Sequence, residues 1–404
     1  MTAQGKSGEA HHPPSPELTA GTTTLLAVSC GTMAASLYYG QPLVGLIGPD
    51  LHLRPDLYGL VVTLTQLGYV LGLLFLVPLG DMLESRRLVT VTICLTAGAL
   101  AAAAAAPNAP VFLAMALCIG LFCTALQMLV PLAAHLAPDA IRGRVVGTVM
   151  SGLITGILLA RPIASLLSEV VGWRGVFGFA SAVVLALAAL LYFRLPNRAP
   201  DSRLAYADLI GSMWRLLRDT PILRRRIAYQ APVFAGFSIF WTAVPLELAA
   251  PPWTLSQTGI ALFALAGAAG ALVAPLAGRV ADGGYSRSGT GLSLTSVLAG
   301  FGFCALAGAT GLWALVLGAV LIDAGVQGNQ IISQRAIYGL APDIRSRLNG
   351  LFIACSFVAA ALGSLLAGAV FAHFGWRGVA VMGAMCPVFA LAVWVQELRS
   401  ARAC

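Results

Sequence analysis

The stretch Gly172-Trp173-Arg174-Gly175-Val176 returns 203 residues later as Gly375-Trp376-Arg377-Gly378-Val379, and this duplication decides the architecture. Ala137-Pro138-Asp139, followed by Arg142 and Arg144, returns as Ala341-Pro342-Asp343, followed by Arg345 and Arg347. Asp81 is matched by Asp282, and Tyr38, Tyr39 and Pro42 are shadowed by Phe240, Trp241 and Pro245. Every offset lies between 201 and 204 residues in a chain of 404, so two homologous units follow one another.

Each unit is built for lipid. Apolar residues make up 58% of the chain, charged residues 10%, and the mean hydropathy is +0.86, whereas a soluble domain carries roughly a quarter charged residues. One crossing needs about 20 mainly apolar residues. Twelve such spans are expected, near 25–47, 57–79, 88–106, 111–136, 145–171, 176–194, 228–249, 257–278, 290–310, 312–337, 347–370 and 378–396. The predicted fold is an all-α membrane protein of twelve transmembrane helices in two pseudo-symmetric six-helix bundles. Six crossings return the chain to its starting side, so the bundles share one orientation, with a transport site expected between them near the bilayer midplane.

The division runs 1–24 as a polar tail, 25–194 as the first bundle, 195–227 as a linker, 228–397 as the second bundle and 398–404 as a short tail. Leu209, Met213, Leu216 and Leu217 share one helical face in the linker, flanked by Arg215 and Arg218. That pattern suits either a helix on an anionic leaflet or a solvated tether. The apolar spans hold seven of the eight cysteines without a CxxC spacing, which reads as packing rather than disulfide or metal chemistry.

The net charge of +8 does not indicate a nucleic-acid partner, because the basic residues follow the loops. One side holds twenty of them, among them Arg86, Arg142, Arg224 and Arg345, and the other only Arg54, Arg174 and Arg377. This asymmetry places both termini in the cytoplasm. The remaining one, Arg161, lies inside a span.

The loop after span two reads Gly80-Asp81-Met82-Leu83-Glu84-Ser85-Arg86-Arg87, and its copy has Gly278, Asp282 and Arg287. Here the chain resembles the major facilitator superfamily over nearly its whole length. That family's loop runs roughly Gly-x-x-x-Asp-Arg-x-Gly-Arg-Arg, and Met82 and Gly283 stand where the family has arginine after the aspartate. Tyr39-Gly40-Gln41-Pro42-Leu43 and Asp323-Ala324-Gly325-Val326-Gln327 are similar to a bacterial branch of drug and sugar efflux permeases. Gly152, Gly156 and Pro162 occupy a stretch resembling the family's antiporter motif, with Arg161 in place of its glycine. The loop residues Gly80, Asp81, Arg86, Arg87, Gly278, Asp282 and Arg287 are candidates for a conformational switch: a carboxylate can stabilise a neighbouring helix's positive end, and arginines can bind carboxylates or lipid phosphate. The alternative is that they mark topology only.

No Gly-x-x-x-x-Gly-Lys-Ser/Thr nucleotide loop exists, and the only lysine is Lys6, so a primary pump is excluded. His-Glu-x-x-His and Gly-x-Gly-Asp are absent too. The protein is not read as an enzyme and no cofactor is expected. Charges inside spans are expensive and mark function. Arg161, Glu247 and Asp323 qualify, and their counterparts in the other unit are uncharged. Asp323 is the expected proton carrier and Glu247 the fallback. Asp323, Gln327, Gln330 and Gln334 share a helix face that lines a hydrated cavity or hydrogen-bonds a neighbouring helix. Arg161 either binds a substrate carboxylate or pairs with Asp323. Tyr38, Tyr39, Gln41, Phe240 and Trp241 complete the candidate substrate contacts, with packing as the alternative for the aromatics.

The expected function is alternating-access secondary transport in the bacterial cytoplasmic (inner) membrane, exporting small amphipathic compounds in exchange for protons. A permease for a sugar or other metabolite, and a transporter-like membrane sensor, are the competing readings. The expected partners are a small-molecule substrate, protons and the bilayer, with the chain acting as a monomer.

Overall fold

The computed structural model describes residues 19–138, 140–196, 206–340 and 344–403, all helix and connecting turn. Most of the expected N-terminal tail, the linker residues 197–205, Asp139, Ala341-Pro342-Asp343 and the Asp81 side chain lie outside the described residues. The helices are α1 (Ala20–Ser36), α2 (Gly40–Asp50), α3 (Leu60–Leu71), α4 (Ser85–Ala104), α5 (Ala109–Cys123), α6 (Ala125–Leu136), α7 (Arg142–Arg194), α8 (Tyr206–Asp219), α9 (Pro221–Ala249), α10 (Gln257–Ala268), α11 (Ala274–Asp282), α12 (Ser286–Thr310), α13 (Leu312–Tyr338) and α14 (Arg345–Ala403).

Among the described residues eight helices are long and apolar enough to cross a membrane, or nine if the pair α1/α2, bent by 42°, is one span. The helices α7 and α14, at 53 and 59 residues, are each about twice the length one crossing needs. Each breaks at the glycine of the repeated pentapeptide: Gly172 has φ 68° and Gly375 φ 60°, a backbone that disfavours any Cβ. The tryptophan that follows is buried in both copies. Trp173 Nε1 donates to Asp50 at 3.1 Å and Trp376 Nε1 to the Cys304 carbonyl at 2.8 Å. The repeat is therefore a helix-breaking glycine with an aromatic anchor behind it. We take these two helices as two crossings each and residues 257–282 as one more, which is how the expected twelve map onto the chain.

Within the first half α1 and α4 pack on α7, and α3 packs on α5; within the second, α9 packs on α14 and α12 on α13. Across the halves α3 meets α14, α7 meets α10, and α2 meets α9. A large apolar core runs through both. Residues such as Val170, Phe179, Phe193 and Leu292 stay exposed on the outside, as a surface facing lipid requires.

The linker helix α8 does something other than either expectation. Leu209 is buried, and Met213 is buried in a cluster with Leu223, Leu348 and Phe352, against which Leu216, Leu217 and Leu74 of the first half pack. Arg347 Nη1 donates to Ser212 Oγ at 2.9 Å, and the Tyr206 hydroxyl donates to the Phe75 carbonyl at 2.9 Å. The apolar face closes on protein, which removes more water from it than a tether would, and Trp214 is left exposed on the outer side.

Candidate functional site

Arg161, in the middle of α7, is 5% exposed and reaches across to the second half. Its guanidinium lies over the rings of Trp241 (4.3 Å to the centroid), Tyr38 (5.0 Å) and Phe237 (5.2 Å). Its Nε donates to Gln41 Oε1 at 2.8 Å. Trp241 in turn donates from Nε1 to Asp323 Oδ1 at 2.8 Å. Four sequence-selected residues thus form one chain, Gln41–Arg161–Trp241–Asp323, running from α2 to α13.

No ion pair joins Arg161 to Asp323. Trp241 stands between them, taking the cation on its ring face and the carboxylate on its N–H, so the expected alternative of direct pairing is replaced by pairing through an indole. The ring face carries negative potential and the N–H positive, which lets one side chain serve both charges. Two glycines make this possible. A Cβ at Gly267 would stand 2.9 Å from the Trp241 ring, and one at Gly270 would stand 2.7 Å from Asp323 Cβ, so α10 and the turn after it lie directly against the pair.

The other candidates separate. Phe240 is fully buried and packs edge-on against Trp241 with Phe263 and Trp376 around it, and Tyr39 is half-buried in the core; neither is among the rings under the Arg161 guanidinium. Adjacent helix positions point about 100° apart, so only one of each aromatic pair can face the seam. Glu247 lies near the end of α9, accepting from Trp253 Nε1 at 3.2 Å, apart from the chain of four. Gln327, Gln330 and Gln334 are half-buried at the margin of α13, and Gln334 bonds Asn349 at 3.2 Å. Asp282 pairs with Arg335 within the second half, Arg86 lies over Tyr192 within the first (4.4 Å), and Arg287 lies beside Arg226 and Glu397.

Three features escaped the sequence reading. Phe237 completes the aromatic cage, one turn before Trp241. Gln66 ties the halves together, donating to Ser238 Oγ at 2.9 Å and accepting from Ser364 Oγ at 3.1 Å, while Thr63 and Ser364 share a bond of 2.9 Å. Ser364 is the repeat counterpart of Arg161, so the two equivalent helices each cross to the opposite half. At the end away from most arginines, Glu169 of α7 accepts from the Thr258 backbone N–H (2.7 Å) and hydroxyl (2.5 Å), capping the start of α10.

A lipid-facing helical bundle with a buried polar chain across its central seam is the construction of a multi-pass membrane transporter. Comparison with known proteins gives the family. The Major Facilitator Superfamily model matches residues 24–246 and 227–402, and the chain belongs to that superfamily, a family of transport proteins rather than enzymes. It is 42% identical over 381 residues to the putative uncharacterized transporter YgaY of Escherichia coli K12, covering 94% of this chain and 96% of that one. It is 32% identical to the probable transporter SCO4007 of Streptomyces coelicolor, over 89% and 84% of the two chains. The crystal structure of the nucleoside transporter NupG shares the fold, with TM-score 0.74 and 14% identity over 92% of this chain and 98% of that one.

Proposed function

We propose that the protein is a proton-coupled exporter of small amphipathic organic compounds, working by alternating access in the bacterial cytoplasmic (inner) membrane with both termini inside. The observation that carries this reading is the buried carboxyl of Asp323 held by the N–H of Trp241, whose ring face holds the cation of Arg161. Desolvation favours the neutral form of any carboxyl, and a nearby cation favours the charged form. A group balanced between the two can exchange its proton when a substrate or a domain movement displaces one influence. Substrate and proton then alternate on one site, Asp323 carrying the proton and Arg161, Tyr38, Gln41 and Trp241 receiving the substrate. Glu247 is the fallback carrier.

Alternating access needs contacts that form in one arrangement and break in the other. The cross-half bonds at Gln66 and Glu169 are assigned that role, and the loop containing Asp81 the matching role at the arginine-rich end. The arginine asymmetry and the bacterial relatives support the membrane and the orientation.

The test is transport into inverted vesicles of a mixed panel of amphipathic compounds and sugars, with and without an imposed pH difference. Accumulation of an amphipathic compound that collapses with the gradient is expected. Gradient-independent equilibration of a sugar supports the permease instead, and no flux of any panel member supports the sensor.

A further inference from the structure

We infer that the cluster around Arg161 is a headgroup subsite for an organic anion, a carboxylate or similar planar oxyanion attached to an aromatic or apolar body. This rests on the proposed reading of the cluster as the transport site and narrows the substrate class within it.

The donors point one way. Arg161 Nη2 and Gln41 Nε2 are both buried and neither has a hydrogen-bond partner in the structure. Their residues are only 5% and 1% exposed. Because Arg161 Nε can only donate, the Gln41 atom it meets must be the carbonyl oxygen, which leaves the amide nitrogen as the free end. Two adjacent residues thus offer N–H groups and no acceptor. Ser165, one helical turn beyond Arg161 on the same face, also carries a buried hydroxyl without a partner.

The charge points the same way. Among the described residues no carboxylate bonds Arg161 directly: Asp323 is held by Trp241, and the guanidinium is met by three ring faces and the single Gln41 oxygen. Leaving a buried donor or charge under-satisfied is costly, and a ligand bringing an anion removes that cost. A cationic substrate would add to the existing charge, and a sugar hydroxyl would bring no charge to offset that of Arg161. The rings of Tyr38, Phe237 and Trp241 supply the flat apolar walls for the body of the molecule.

The experiment uses full-length protein in nanodiscs at one pH with no gradient. Binding of naphthoate, naphthamide and naphthylmethylamine is measured by titration calorimetry. Naphthoate should bind at least about tenfold tighter than the amide, as one added charge-assisted hydrogen bond implies, and the amine more weakly than either. Arg161→Gln should bring naphthoate down to the level of the amide, and Gln41→Leu should reduce naphthoate binding more than amide binding. No binding of naphthoate, equal binding of naphthoate and amide, or an advantage that survives Arg161→Gln overturns the proposal. If Arg161→Gln does not insert, Gln41→Leu decides alone, and equal losses for both probes overturn it. An anion preference without proton-driven flux keeps the subsite and removes the antiport reading; proton-driven flux without an anion preference does the reverse.

Discussion

Trp241→Phe removes the bond to Asp323 and keeps an aromatic ring in place. The indole N–H meets Asp323 at 2.8 Å with both residues buried, 2% and 6% exposed. A hydrogen bond to a charged group contributes about 1.5–3 kcal/mol, and a neutral one about 0.5–1.5 kcal/mol. The substitution also leaves space beside Gly267 and weakens the ring's hold on Arg161, each at about 1 kcal/mol. Its total cost of roughly 3.5–5 kcal/mol with the carboxylate ionised therefore mixes three effects. A double-mutant cycle with Asp323→Ala isolates the bond. Stability of the four proteins is measured by SDS titration in mixed micelles with far-UV circular dichroism. The coupling energy should be about 1.5–3 kcal/mol with the carboxylate ionised, and about 0.5–1.5 kcal/mol once acid protonates it. Effects that add to within about 0.5 kcal/mol at both pH values would refute the tryptophan-mediated link.

Three further outcomes are expected. Glu169→Gln should loosen the cap on α10 and speed maleimide labelling of a cysteine at Gly45, a seam position packed near Leu246, from the side bearing Asn108 and Trp253; an unchanged rate contradicts a latch there. Gly375→Val should cost about 1–3 kcal/mol from backbone strain alone, since a Cβ there meets nothing within 4 Å. The control Gly302→Ala, equally uncrowded but helical, should be neutral or stabilising, and equal effects of the two in the same SDS titration would remove the backbone explanation. Cysteines near Arg86, Arg142, Arg224 and Arg345 should label only from the cytoplasm, and those near Asn108 and Trp253 only from outside, in intact cells against permeabilised ones.

The fold was legible because its signals are local or periodic. Apolar runs give the spans, and the Gly-Trp-Arg-Gly repeat gives both the duplication and the two helix breaks, which a positive-φ glycine makes physical. Arg161 and Asp323 were legible because a charge in lipid needs a reason. The link between them was not: it depends on the direction of an indole, and Trp241 was indistinguishable in sequence from Phe240, one residue away and turned about 100° around the helix. Gly267 and Gly270 look like ordinary small residues of a membrane helix until the distances to Trp241 and Asp323 are known. Gln66 and Glu169 bind partners 172 and 89 residues away, which no period or spacing encodes. The linker helix showed its apolar face, but whether that face meets lipid or protein is a question of tertiary packing.

The central claim is that Asp323 carries the coupled proton, and the direct measurement is substrate flux by Asp323→Asn in vesicles. Asparagine stays neutral at every pH, so this variant should lose accumulation driven by a pH difference while still exchanging substrate between compartments at equal concentration. Glu247→Gln, tested beside it, should keep accumulation. If Asp323→Asn still concentrates substrate under a pH difference, the assignment is wrong, and if both variants do, coupling through a membrane carboxylate is contradicted.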